Sequence, residues 1–371
     1  MNRLKIPELK LLKDVVSLST APFCEFNVQE FIRAWADENG IGLQEDKVGN
    51  ILLTYRGRGR APKNTWVLQA HMDHPGFELI SRRGRTVQAW FRGGVNENYF
   101  PGARMQFFPG SGTPASGTVE SARREKESGF LKCRIKLDEP AKLEVGTLGM
   151  WDIPAWTKRG NKLSLRVVDD LCGVASILLT LKRLKDSGAK RPVLGLLTRA
   201  EEVGFVGAIS AVKNKLIDPA FPILGIEASR EMPNAKIGQG AVVRVGDAST
   251  IFDPELTSNL RKMARGLHLK DPTLNFVESL MPGGSCESTG LALLGYRTCA
   301  VCLPLGNYHN MGKTKIEPEI IDLRDFESMV ALLEAVSQVK PDASNRTALK
   351  KRILENHQKR AALLLHPQAG R

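Results

Sequence analysis

No apolar run in the 371-residue sequence reaches the roughly 18–20 residues that a membrane-spanning helix needs, so no membrane span is expected. The opening residues, Met1-Asn2-Arg3-Leu4-Lys5-Ile6-Pro7, hold neither an apolar core nor a small-residue cleavage site, and no secretory leader is expected. Cysteine is scarce and scattered, with six residues at positions 24, 133, 172, 286, 299 and 302. Only Cys299 and Cys302 have Cys-x-x-Cys spacing, and they sit inside an apolar, strand-like run. Without a second such pair, no structural zinc site is completed. Buried free thiols in a reducing compartment are the expectation, and with them a cytoplasmic location. Lysine and arginine outnumber the acids to give a net charge of +13, yet they form no single block. They are spread over 56–63, 82–85, 123–126, 182–190 and the C-terminal tail, with no interleaved aromatic motif. Nucleic acid is therefore not an expected partner.

What remains is ordinary for a globular protein: 42% hydrophobic and 25% charged residues. The length favours two domains. Leu9–Leu18 and Val28–Trp35 carry apolar residues at helical spacing, and Asn50–Tyr55 reads as a strand. A polar loop, Arg56–Asn64, precedes the buried strand Thr65–Ala70, which ends at His71. From about Leu79 to Lys162 short alternating runs are separated by Gly- and Pro-containing turns, the pattern of a small all-β module. The α/β pattern then returns with a helix at Val174–Leu184, a strand at Val193–Thr198 and a helix at Gly207–Val212. Strands follow at Phe221–Ile226 and Arg297–Leu303, and a long helix at Leu323–Val339. The expected organisation is an α/β domain of residues 1–79 and 162–340, an inserted β domain of 80–161, and a basic tail of 341–371. Arg346–His366 in that tail reads as a solvated surface helix, with an assembly contact as the alternative.

Several chemically capable residues follow the carboxyl ends of these strands, where open α/β sheets bind ligands. His71-Met72-Asp73 ends one strand, and Glu201-Glu202-Val203-Gly204 follows another. Glu227 ends a third, and His309 follows a fourth in Asn307-Tyr308-His309. Asp169-Asp170, with Gly173 after them, open a helix. Two histidines and several carboxylates so placed are the material of a two-metal hydrolytic site. In that reading one cation takes His71, Glu227 and one oxygen of Asp169, and the other takes His309, Glu202 and the second oxygen of Asp169. Three protein ligands each leave room for a shared water, as in catalytic zinc sites. Asp73 would accept the free ring N–H of His71, Asp170 would hold backbone or a neighbouring ligand, and His74 would lie behind the ligands or serve the fold, with ligation as the alternative. Adjacent side chains point differently, so Glu202 can ligate while Glu201 acts as general base on the attacking water. The donor set suits two zinc ions, with cobalt or manganese as alternatives.

At these residues the chain resembles the TET-type, glutamyl-aminopeptidase-like family of cocatalytic metallo-aminopeptidases, once also called cellulase M. The resemblance runs from about Val15 to Val339 and rests on the ordered set above, together with Gly207-Ala208 and the β insertion between His71 and Asp169. It implies a phosphorylase/hydrolase-like α/β catalytic domain carrying a small inserted all-β domain. It also implies removal of N-terminal residues from peptides, and often assembly into homo-oligomers as large as dodecamers. The sequence departs from the family in three places. Glu227 stands where aspartate is usual, and Gly283-Gly284-Ser285-Cys286-Glu287 where Gly-Gly-Thr-Asp-Ala is usual. Asn310-Met311-Gly312 replaces a Ser-Pro-type turn.

The expected activity is thus metal-dependent aminopeptidase action on peptides. One rival keeps the metals and acts as a deacylase or carboxypeptidase, which would need a basic group for a carboxylate. Another is a non-catalytic relative that retains the fold. Glu201 and the full ligand set argue against the latter.

Overall fold

The computed structural model describes residues 4–57, 65–110, 112–341 and 346–361. Two amphipathic helices open it, α1 (Ile6–Val16) and α2 (Phe26–Glu38), each burying one stripe that includes Leu12, Val16, Val28 and Ile32. Strands β1 (Gly42–Glu45) and β2 (Ile51–Tyr55) form a hairpin, and β3 (Trp66–His71) follows. Every residue of β3 is buried, because it lies inside a sheet covered on both faces.

Six strands then close into a barrel: β4 (Gly76–Arg83), β5 (Thr86–Arg92), β6 (Arg104–Phe108), β7 (Ala115–Arg124), β8 (Leu131–Leu137) and β9 (Leu148–Trp151). Alternation is clearest in β8, where Leu131, Cys133, Ile135 and Leu137 are buried and Lys132, Arg134 and Lys136 exposed. The barrel interior is aromatic. Phe77 meets Phe91 and Trp151 edge-on, with centroids 4.8 and 4.9 Å away. Phe77→Ala is expected to cost about 3–5 kcal/mol of stability, read as a lower urea midpoint, because this fully buried ring leaves a cavity.

Strands β10 (Trp156–Arg159) and β11 (Lys162–Leu165) return the chain to the α/β unit. Helix α3 (Leu171–Asp186) is apolar almost all round and buried, and Asp170 caps it by accepting the Gly173 N–H at 3.2 Å. Next come β12 (Val193–Thr198), α4 (Val206–Lys213), β13 (Ile223–Arg230) and β14 (Ala241–Asp247). Helix α5 (Pro254–Lys270) begins with Pro254 behind the capping Asp253, and β15 (Phe276–Met281) and α6 (Glu287–Leu293) follow. The chain continues through β16 (Thr298–Leu305), β17 (Glu319–Asp322), α7 (Leu323–Ser337) and α8 (Arg346–Arg360).

The main sheet has the order β1-β2-β12-β3-β13-β16-β14-β15. Its centre, β12-β3-β13-β16, is parallel, while β2 and β14 run antiparallel to their inner neighbours. A second sheet pairs β10, β11 and β17. The mixed α/β class is as expected from the sequence. The additions include β14, α5, β15 and α6, within a stretch where the sequence patterning marks no element, and the short strands β1 and β17 outside it. Among the described residues no helix is long and apolar enough to cross a membrane. Residues 350–360 of α8 are exposed, and residues 362–366 of the expected tail helix lie outside the described residues, as do 58–64 of the polar loop.

Candidate active site

Parallel strands aim their carboxyl ends at one edge of the sheet, and that edge gathers the acids and histidines. His71 is the last residue of β3, and the turn after β12 presents Glu201 and Glu202. Glu227 lies within β13, and the loop after β16 carries His309. Asp169 comes from the segment that links β11 to α3, and its peptide bond to Asp170 is cis.

The side chains converge as two triads. His71, Asp169 and Glu227 place ligand-type atoms within 4.8 Å of one another, and so do Asp169, Glu202 and His309. Asp169 belongs to both. Its Oδ1 is 3.3 Å from His71 Nε2, and its Oδ2 is 3.7 Å from His309 Nε2. Glu202 Oε1 lies 3.0 Å from His309 Nε2, and Glu227 Oε2 3.9 Å from His71 Nε2. Glu201 stands beside the first triad, its Oε2 3.9 Å from His71 Nε2.

Both imidazoles are oriented through Nδ1. That of His309 donates to the Gly94 carbonyl at 2.8 Å, on the barrel side. That of His71 lies 3.2 Å from the Asp73 carbonyl and 3.4 Å from its carboxylate. Assigning the ring proton to Nδ1 leaves Nε2 as the free lone pair facing the carboxylates in each case. The Asp73 carboxylate also accepts the backbone N–H groups of Glu201 and Glu202 at 2.9 and 3.1 Å. It therefore sets the turn that carries them.

Other buried acids hold the frame. Glu25 accepts the Ala200 N–H at 3.0 Å and the Arg199 guanidinium, steadying the same turn. Glu287 accepts from Gln69 on β3 and from Thr198 Oγ1 on β12, two and three residues before His71 and Glu201. Glu319 accepts from the segments of Asp169 and His309. His74 reaches the Asp169 carbonyl and Asn310. The turns are bent to suit: Ala200, His309 and Asn310 adopt positive φ of 51°, 55° and 62°. Such backbone costs on the order of 1–3 kcal/mol per residue and persists only where surroundings enforce it.

The electrostatics are lopsided. Nine buried or half-buried acids crowd the region (25, 73, 169, 170, 201, 202, 227, 287, 319) against Arg199, Arg244 and three histidines. Burial, with Glu227, Glu202 and Glu287 nearby, pushes the Glu201 carboxyl well above its usual range despite His71. Burial also pushes Glu227 up to about 8 and Glu287 to about 7. Burial opposes the His71 imidazolium, but Glu201, Asp169 and Asp73 outweigh it and hold its pKa well above the ordinary value. Glu202 and Asp169 do the same for His309.

Buried polar atoms are normally partnered. Here Asp169 Oδ1, Glu202 Oε1, Glu227 Oε1 and His309 Nε2 are buried without a hydrogen bond of acceptable geometry. Glu202 Oε1 and His309 Nε2 are close, but they are not directed at each other. Oxygen and imidazole donors left open in this way fit divalent cations.

Glu25, Glu287, Glu319 and Gly94 were not singled out as site residues from the sequence. The only available signal was Glu287, inside a stretch already marked as a departure.

Solved structures with this fold include a TET aminopeptidase from a marine sediment archaeon of the Thaumarchaeota, at 18% identity and a TM-score of 0.74, covering 90% of this chain and 97% of that one. An aminopeptidase from the archaeon Desulfurococcus kamchatkensis aligns at 19% identity and 0.73, covering 91% and 96%. The Pyrococcus horikoshii TET1 peptidase aligns at 18% and 0.71, covering 89% and 99%. At these identities the likeness establishes the fold. The family model of the M42 glutamyl aminopeptidases matches residues 49–332, well over half of the chain. The protein is a metal-dependent aminopeptidase in the general sense, a hydrolase of peptide bonds. It belongs to the M42 glutamyl aminopeptidase family.

Proposed function

We propose that the protein is a binuclear aminopeptidase that removes N-terminal residues from peptides, with Glu201 as general base. One observation carries this reading: the two carboxylate oxygens of Asp169 are divided between two otherwise separate His/carboxylate triads. His71, Glu227 and Asp169 would hold one cation, and His309, Glu202 and Asp169 the other. Two divalent cations, zinc first and cobalt or manganese next, would supply Lewis-acid charge to polarise the scissile carbonyl and acidify water.

The chain's own residues then divide the remaining work. Glu201 takes the proton of the attacking water and returns it to the leaving amine. A carboxylate positioned beside the ligands suits that role. Asp73 keeps the base in place by holding the Glu201 N–H, and the Gly94 carbonyl keeps the His309 ring in its plane. Asp170 caps α3 and so fixes the start of the helix behind Asp169.

In this reading the chain before Gly76 and that from β10 to residue 340 form the catalytic unit, and the inserted barrel strands β4 to β9 contribute one wall of it. A homo-oligomer is part of the proposal, since the Pyrococcus horikoshii TET1 peptidase assembles into a tetrahedron or an octahedral shell. A dodecamer is one such form. Six buried, unpaired cysteines support a reducing, cytoplasmic setting.

The test is hydrolysis of aminoacyl chromogenic amides beside their N-acetylated forms. Cleavage of the free amines alone, abolished by a chelator and restored by zinc, cobalt or manganese, is the expected result. Cleavage of only the acetylated forms would replace this reading with deacylation. Gly94→Val probes the barrel wall. A Cβ there would lie 3.4 Å from His309 Nδ1, and the valine methyls would push into the ring. Metal affinity is expected to fall by about 10–100-fold, the usual effect of disturbing a ligand's support. A titration showing unchanged affinity would contradict that role.

A further inference from the structure

We propose that Glu319 is a positioning residue for the cation pair, tying the bridging Asp169 to the ligand His309 through their backbones. The inference rests on the two-cation reading above.

Glu319 opens β17 and is fully buried. Its Oε2 accepts the N–H groups of Val168 and Asp169 at 2.7 and 3.2 Å, and its Oε1 accepts the His309 N–H at 2.9 Å. One rigid carboxylate thus spans two segments that are far apart in sequence. No lysine or arginine lies within ion-pair distance of it among the described residues, so its charge is met chiefly by backbone donors. Burial pushes its pKa up, with Asp169 adding to the rise and His74 opposing it.

A buried carboxylate is costly unless its oxygens are satisfied, and here both accept backbone N–H groups that an apolar side chain would leave unpartnered. What the acid supplies is two acceptor atoms at a fixed separation. His74 works from the opposite side, with Nδ1 at 2.5 Å from the Asp169 carbonyl and Nε2 at 3.0 Å from Asn310 Oδ1. Asp169 is therefore gripped at both its N–H and its C=O. The left-handed turn of His309 and Asn310 needs such restraint, since neither residue is glycine. Glu319 and His74 together place one oxygen of Asp169 toward His71 and the other toward His309.

Glu319→Gln keeps the volume but offers one acceptor and one NH2 group. Whichever way the amide turns, its NH2 faces a backbone N–H on one segment. Glu319→Asp keeps the charge but is one methylene shorter, so it reaches only one segment. The experiment titrates chelator-stripped, full-length wild type and both variants with Zn2+ against a chromophoric chelator. The melting temperature of each metal-free protein is recorded alongside.

The expected result is zinc affinity weakened about 10–100-fold in a Glu319→Gln that still folds without metal, whether or not the N–H left unpaired lowers its metal-free melting temperature, with activity recovered in excess zinc. Wild-type affinity in a folded Glu319→Gln, or a lower melting temperature as its sole effect, would overturn the inference while leaving the two-cation reading intact. If Glu319→Gln does not fold, Glu319→Asp decides: weakened affinity supports the inference, and wild-type affinity overturns it. A wild-type protein that takes up no zinc would overturn the two-cation reading, and this inference with it.

Discussion

Glu201→Gln is expected to lower kcat for an aminoacyl amide by about 10²–10⁴-fold, the usual contribution of a positioned acid–base group. The metal content should not change. Glu201 belongs to neither triad, although its Oε2 comes within 3.9 Å of His71 Nε2. Its backbone N–H is held by Asp73, and that bond is indifferent to the side chain. Glutamine has the same shape and reach, so substrate placement should survive and KM should move little. What glutamine lacks is the ability to take a proton from water. Steady-state kinetics beside elemental analysis of the purified variant decide the matter. Loss of activity together with loss of an ion would make Glu201 a ligand and remove it as the base. Retained activity would require the proton to go elsewhere and would remove Glu201 as the base.

The sequence made the strand-end residues legible for a physical reason. A buried parallel strand reads as a short apolar run, and a polar residue just beyond it must either reach water or enter a site. Thr65–Ala70 before His71 and Val193–Thr198 before Glu201 announce themselves in this way, and the structure brings all six triad and base residues into one cluster. The region from 231 to 296 does not. Strand β14 carries Arg244 among its apolar residues, buried and lying over the Phe252 ring, and β15 is a short edge strand with Glu278 in its middle. Neither shows a clean period of two. Helix α5 carried the signals of a capping Asp253 and Pro254, but only four of its seventeen residues are buried, so its apolar stripe is thin.

The clamping acids were illegible for a different reason. Glu25, Glu287 and Glu319 mostly bind groups brought near only by the fold, and several of these are backbone N–H groups that leave no trace in residue identity. The Gly94 carbonyl is the extreme case, because any residue has one. Spacing alone also assigned Asp73 to the His71 ring. Its carboxylate does lie 3.4 Å from that ring, and it also accepts the Glu201 and Glu202 N–H groups, contacts that spacing does not reveal.

Asp169→Asn separates a shared site from two independent ones. Asp169 is the one residue common to both triads, with an oxygen facing each histidine. Asparagine supplies one neutral oxygen and turns an NH2 toward the other triad, so one cation would lose an anionic ligand and the other would face a donor. Affinity for both ions is expected to fall by at least about 100-fold, beyond the effect of losing a mere support. Hydrolysis should drop to background. His309→Ala is the contrast. It removes a ligand from the Glu202 triad only, and leaves His71, Glu227 and Asp169 facing one another. That variant should retain one tightly held ion per chain and lose the second. Zinc titration of the two variants reads the difference directly. If Asp169→Asn kept one tight ion as His309→Ala does, the two sites would be independent, and the bridging assignment would give way to a single catalytic cation. If both variants lost both ions equally, occupancy of one triad would depend on the other, and the bridge would be the physical route of that coupling.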